Sequence, residues 1–134
     1  MQTQNPKDIV LAFVDTINRH DVKALVDIMS EDYTFIDSEG SVIKGREEMR
    51  KGWIAYFTLI PDYQISIAET MQTPNAVGIF GVARGTYAVQ GKLLEENKWE
   101  MPAAWRAVVK ENKISEWQVY ADNEPVRRII AAQK

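Results

Sequence analysis

The 134-residue sequence predicts an α+β fold, with helices in the first half and a curved antiparallel sheet in the second. Three observations carry this expectation. Apolar residues recur at a spacing near 3.6 in the stretches before Pro61. Beyond Pro61 the spacing drops to two, most cleanly at Trp99, Met101, Ala103, Trp105, Ala107 and Val109. Gly78, Gly81 and Gly85 punctuate one of those later strands, as bulging or strong bending requires.

The elements follow in order. Asn5-Pro6 reads as a cap and first helical residue, and Ile9, Val10, Phe13, Val14 and Ile17 mark one stripe. Asn18-Arg19-His20 breaks that helix, and Asp21 caps a second carrying Val22, Leu25, Val26 and Met29. Ser30-Glu31-Asp32 reads as a turn, Tyr33 to Asp37 as a strand, and Ser38-Glu39-Gly40-Ser41 as another turn. Gly45 precedes a third helix with Met49, Trp53, Tyr56, Phe57 and Ile60 on one face, stopped by Pro61-Asp62. Strands are then expected around Tyr63–Ala68, from Ala76 to about Val89, from Trp99 to Val109 and from Ile114 to Ala121. Turns fall at Met71–Asn75 and Lys110–Lys113, and a short helix begins near Asn123-Glu124-Pro125.

Composition narrows the function. Sixteen Lys and Arg against 19 Asp and Glu give a net charge of −3 without a basic cluster, so no nucleic-acid partner is expected. There is no Cys and one His, which argues against a disulfide framework, a cysteine nucleophile, a thiolate zinc site or a multi-histidine metal site. No apolar run approaches the ~18 residues of a membrane span, and Met1 to Lys7 lacks a leader pattern. The expectation is a cytoplasmic protein with no membrane partner. No glycine-rich phosphate loop, Ser-His-Asp order or metal-ligand spacing is present.

Two carboxylates stand out. Asp37 shares strand parity with Tyr33 and Phe35, so it would project into apolar surroundings if that aromatic face is the core face. Desolvation there favours the neutral acid and suits acid–base work near neutrality. The other reading, the commoner use of Asp, ends the strand and starts the turn at Ser38. Asp122 also has two readings. Strict alternation from Trp117, Val119 and Ala121 turns it away from the core, to cap the helix at Glu124-Pro125, whereas a bulge would turn it inward. His20 lies in an interhelical turn and reads as structural or solvated. Trp53, Trp99, Trp105 and Trp117 are core residues or the walls of an apolar cavity. Arg84 and Arg106 sit on strands, on the outer face or as clamps for an anion. Glu95-Glu96, Lys98 and Glu100 read as a solvated hairpin.

Several stretches together carry a family resemblance: Asn18-Arg19-His20-Asp21, Ser30 through Asp37, Gly45-Arg46-Glu47-Glu48-Met49, Pro61-Asp62, and Ala104 through Ile114 continued by Trp117 through Asp122. In this order they resemble the SnoaL-like branch of the nuclear transport factor 2-like superfamily, which includes ketosteroid isomerases, polyketide cyclases and limonene-epoxide hydrolases. The resemblance spans nearly the whole chain and implies one domain over residues 1–134. Its fold would be a cone-like, cystatin-like α+β barrel: a curved mixed or antiparallel sheet whose concave face carries the three helices of the N-terminal half.

The resemblance also implies roles. Asp37 falls where ketosteroid isomerases place the proton-shuttling carboxylate, and Asp122 where polyketide cyclases place an acid/base Asp. It departs elsewhere: Phe13 stands near the isomerase oxyanion-hole Tyr, and Ala104 or Trp105 near its partner acid. The epoxide-hydrolase Tyr and Asn become Phe35 and Asp37, and the Arg-x-acid pair becomes Lys98-Trp99-Glu100. The expected function is therefore a pocket for a small hydrophobic polyketide-, terpenoid- or steroid-like molecule. Chemistry there would be cofactor-independent and isomerase-, cyclase- or hydrolase-like, with Asp37 and Asp122 as catalytic residues and no metal. The expected wall is Phe13, Tyr33, Phe35 and Trp53, with Phe57, Trp105 and Trp117. The alternative is a non-catalytic ligand-binding or protein-association module. A homodimer is expected through the outer sheet face, which carries Val108 and Tyr120.

Overall fold

The computed structural model describes residues 4–133. Residues 1–3, the first part of the stretch read for a leader, and residue 134, the end of the expected domain, lie outside the described residues. Helix α1 (Pro6–Asn18) starts where Asn5 caps it, the side chain accepting from the Lys7 N–H at 2.9 Å. Ile9, Val10, Phe13, Val14 and Ile17 are all buried, so the stripe faces the core as its spacing requires. Helix α2 (Val22–Ile28) is capped by Asp21, which accepts from the Ala24 N–H at 3.1 Å.

Strand β1 (Met29–Ile36) follows without a break, so Ser30-Glu31-Asp32 is strand and not the expected turn. Met29 pairs with Ile114, and regular pairing resumes only at Thr34, across an irregularity. The polar residues on that irregular stretch obscure the alternation. The short β2 (Val42–Lys44) is wholly exposed, and three residues are too few for a period to show. Helix α3 (Arg46–Leu59) ends just before Pro61, whose ring cannot continue it.

The remaining strands are β3 (Gln64–Gln72), β4 (Ala76–Thr86), β5 (Lys98–Lys110) and β6 (Lys113–Tyr120), followed by α4 (Glu124–Ala131). They form a six-stranded mixed sheet in the order β2-β1-β6-β5-β4-β3, parallel only between β1 and β6. β2 and β3 are free edges, so the expected barrel stays open. Four helices pack on this sheet, the three of the N-terminal half and α4, which rests Val126 and Ile129 on the core. Among the described residues no helix is long and apolar enough to cross a membrane.

Two irregularities shape the inner face. β3 carries an extra residue between Ile67 and Glu69, opposite Gly81 and Phe80. A Cβ on Gly81 would lie 1.9 Å from the Ser66 carbonyl oxygen, so only glycine permits this approach. A second bulge between Val108 and Val109 lets Ile114 and Trp117 both face inward although they are three apart. β4 stops at Thr86, short of the expected Val89. Asp62 takes the Thr86 N–H and hydroxyl at 2.7 and 2.6 Å, and Val89 keeps only an isolated bridge to Lys92.

Candidate functional site

Between α3 and the inner face of β4, β5 and β6 lies a hollow of about 300 Å³, at the small end of the usual ligand-cavity range. Its existence follows from side-chain size. On β5 the inward positions alternate Trp99, Met101, Ala103 and Trp105, and Ala103, Ala83 and Gly52 are too small to fill the space opposite them. All four tryptophans of the chain line it. Of the aromatics expected on a ligand wall, Phe35, Trp53, Trp105 and Trp117 border this hollow.

Phe13, Tyr33 and Phe57, expected on the wall, are not there. Phe13 and Tyr33 are fully buried core, Phe13 packing edge-on against Trp117 with ring centroids 4.9 Å apart. Tyr33 packs against Phe13 in turn, with ring centroids 6.3 Å apart. Phe57 does not border the hollow: its ring packs against Trp53 at 5.2 Å and stacks on His20 at 4.1 Å with planes 7° apart. The Nε2 of His20 lies 2.8 Å from the Tyr63 carbonyl oxygen, which can only accept, so Nε2 carries the proton. His20 is therefore structural.

Asp37 lies half-buried at the rim of the hollow beside Ser38 and Asn123. Its Oδ1 accepts the backbone N–H groups of Glu39 and Ser41, both at 2.9 Å. Its Oδ2 makes no hydrogen bond among the described residues. The turn reading of Asp37 thus describes its Oδ1, and the residue also borders the hollow.

Asp122 does not join it. Its side chain is 83% exposed and its Oδ1 caps the Glu124 N–H at 3.0 Å. The alternation Trp117, Val119, Ala121 continues unbroken, so Asp122 points outward and Asn123 inward. Asn123 donates to the Ser38 hydroxyl at 2.5 Å across the rim, tying the start of α4 to the β1–β2 turn. The sequence reading passed over Asn123, although following the alternation two residues past Ala121 leads to it. Arg84 donates to Ser66 at 2.8 Å and Arg106 pairs with Glu116 at 2.6 Å, both on the outer face, so neither clamps an anion in the hollow.

Tyr56 and Tyr63 also line the hollow, their rings 5.0 Å apart at 86°. Burial pushes the hydroxyls of Tyr33, Tyr56 and Tyr63 above the ordinary phenol range, and at Tyr63 the neighbouring Tyr56 adds to it. These phenols stay protonated near neutrality. Among the described residues, three fully enclosed side-chain polar atoms have no partner: the Tyr33 hydroxyl and the indole nitrogens of Trp53 and Trp99. Tyr63, Met101 and Ala103 read in the sequence only as strand residues, because nothing in a period-2 pattern separates a wall from a filled core. Among the described residues, no group of three or more His, Cys, Asp or Glu side chains could hold a metal ion.

A family model described as a SnoaL-like domain matches residues 10–117. No curated protein matches the chain in sequence. Solved structures resemble it throughout. One is a SnoaL-like protein of Shewanella putrefaciens CN-32 described as a candidate polyketide cyclase, at 15% identity and TM-score 0.81 over 98% of this chain and 100% of that one. A hypothetical protein of Catenulispora acidiphila with a ketosteroid isomerase-like fold, in complex with trimethylamine, matches at 21% identity and TM-score 0.77, covering 92% and 91% of the two chains. A cystatin-fold protein of Novosphingobium aromaticivorans matches at 21% identity and TM-score 0.73 over 87% and 98%. At these identities the structural likeness speaks for the fold alone.

Proposed function

The chain belongs to the SnoaL-like family, and from that membership and the walled hollow we propose that it holds a small hydrophobic molecule of polyketide-, terpenoid- or steroid-like character and transfers a proton on it without a cofactor. The observation that carries this is Asp37: a carboxylate on the rim of an apolar hollow, with one oxygen fixed by two N–H groups and the other free. Two backbone donors hold the group in one orientation, which is what a general base needs before its substrate arrives. The free oxygen would take a proton from carbon beside a carbonyl and return it at a second position, with no further reactant.

Binding without turnover is the second reading. It is favoured by the outward position of Asp122, which leaves Asp37 as the lone carboxylate at the hollow. We further propose that two copies meet through the outer sheet face. Phe80, Ala104 and Tyr120 are cross-strand partners on β4, β5 and β6, and Phe80 and Tyr120 are 39% and 50% exposed.

Deuterium exchange separates the two readings. With α-tetralone in deuterium oxide, NMR reports loss of the proton beside the carbonyl. The enzymatic reading expects exchange above the buffer rate, lowered by about 10²–10⁴-fold in Asp37→Asn. Asn keeps an acceptor oxygen for Glu39 and Ser41, so that variant should fold normally. Binding without accelerated exchange leaves the non-catalytic reading, and no binding overturns both.

A further inference from the structure

We propose that the Tyr56–Tyr63 part of the wall is a subsite for a carbonyl oxygen of the bound molecule, held by the Tyr63 hydroxyl with Tyr56 beside it. This rests on the hollow being a ligand site, and it narrows the ligand to an uncharged ketone.

Tyr63 is 7% exposed, yet its hydroxyl makes no hydrogen bond among the described residues. An unpaired buried hydroxyl is costly. This one is not sealed in packing as the Tyr33 hydroxyl is, since Tyr63 lines the hollow and its oxygen is not among the enclosed ones. Its backbone is fixed from two sides. The Tyr63 N–H donates to Ile60 at 3.2 Å, and its carbonyl receives the proton of His20. The ring is wedged between Tyr56 at 5.0 Å and Trp99 at 6.1 Å. The site is therefore held in place before any ligand arrives.

The chemistry of the surroundings selects the ligand. The hydroxyls of Tyr56 and Tyr63 are the donors this part of the wall offers, the indole nitrogens of Trp53 and Trp99 being enclosed. What complements them is an acceptor oxygen. None of these four side chains carries positive charge, so a carboxylate or phosphate would be buried uncompensated at this end. Both phenols are protonated and hence able to donate through neutral pH, as any tyrosine is.

The test compares α-tetralone with tetralin, which has the same rings and no carbonyl. Both are titrated into the wild-type protein by tryptophan fluorescence, since all four tryptophans line the hollow. The expected result is a preference of roughly tenfold for the ketone, the value of one net hydrogen bond in a dry site. In Tyr63→Phe the ratio of ketone affinity to tetralin affinity should fall to about one. The infrared carbonyl stretch of bound α-tetralone should shift to lower frequency in the wild type and move back in Tyr63→Phe. Equal wild-type affinities with an unshifted stretch overturn the subsite while the ligand hollow stands, as does a preference that survives the substitution. Binding of neither compound overturns the hollow as a ligand site and the subsite with it. If Tyr63→Phe does not fold, the wild-type stretch decides alone, with Tyr56→Phe as the second variant.

Discussion

Asn18 and Ile65 are joined by paired hydrogen bonds: Asn18 Oδ1 accepts the Ile65 N–H at 2.8 Å and its Nδ2 donates to the Ile65 carbonyl at 2.9 Å. The amide of one side chain thus stands where a neighbouring strand would. Gln64 returns a bond to the Asn18 carbonyl at 2.8 Å, and two residues further on His20 holds the Tyr63 carbonyl. The interhelical turn is in this way clasped to the start of β3, and Tyr63 on the wall of the hollow is placed by it.

Asn18→Ala should lower unfolding free energy by about 2–3 kcal/mol, two lost bonds plus an orphaned backbone donor at Ile65. Asn18→Asp, which keeps the acceptor, should lose less. Urea unfolding measures both, and a loss below ~0.5 kcal/mol for Asn18→Ala would show that water replaces the amide.

Tyr33→Phe should leave stability unchanged or raise it by about 1 kcal/mol, because the hydroxyl it removes is enclosed without a partner. Thermal and urea unfolding of the variant report this. A clear loss of stability would reveal a bound water serving that hydroxyl.

Stability should fall as pH rises above about 10, the phenol pKa of the unfolded chain. The buried Tyr33 and Tyr63 have folded pKa values above that, so in this range the unfolded state has released protons that the folded state keeps. Each residue then costs about 1.4 kcal/mol per pH unit, and below pH 10 neither contributes. The share of the tyrosinate absorbance that belongs to Tyr33 and Tyr63 should appear together with unfolding, not before it.

Phe80→Asp, on the outer face, should convert a dimer into a monomer without changing the circular dichroism spectrum. Sedimentation at micromolar concentration distinguishes the states. A monomeric wild type would remove the proposed association face.

Elements with a strong period were legible in the residues themselves. The α1 stripe from Ile9 to Ile17 and the β5 alternation from Trp99 to Val109 lie where their spacing places them. What stayed hidden depends on pairing. Ser30-Glu31-Asp32 hid a strand because these polar residues fall in the irregular stretch between the Met29 and Thr34 pairings with β6, and the three exposed residues of β2 are too few to show a period. At the site, Asp37 and four of the seven expected aromatics reach the hollow: Phe35, Trp53, Trp105 and Trp117. Phe13 and Tyr33 have the correct parity or stripe but are fully buried core, and the place of the hollow is set by Ala83, Ala103 and Gly52 on other elements. Local spacing cannot express that. The outward turn of Asp122, by contrast, was already written in the alternation of its neighbours.

The extra residue in β3 has a further consequence, since β3 borders the sheet and could otherwise recruit foreign chains. Asn18 and His20 already occupy its first outward-facing groups, and the kink between Ile67 and Glu69 disrupts the straight run an incoming polypeptide would need to zip along. At the opposite border, β2 offers only three residues. The molecule thereby guards itself against fibril-like polymerisation.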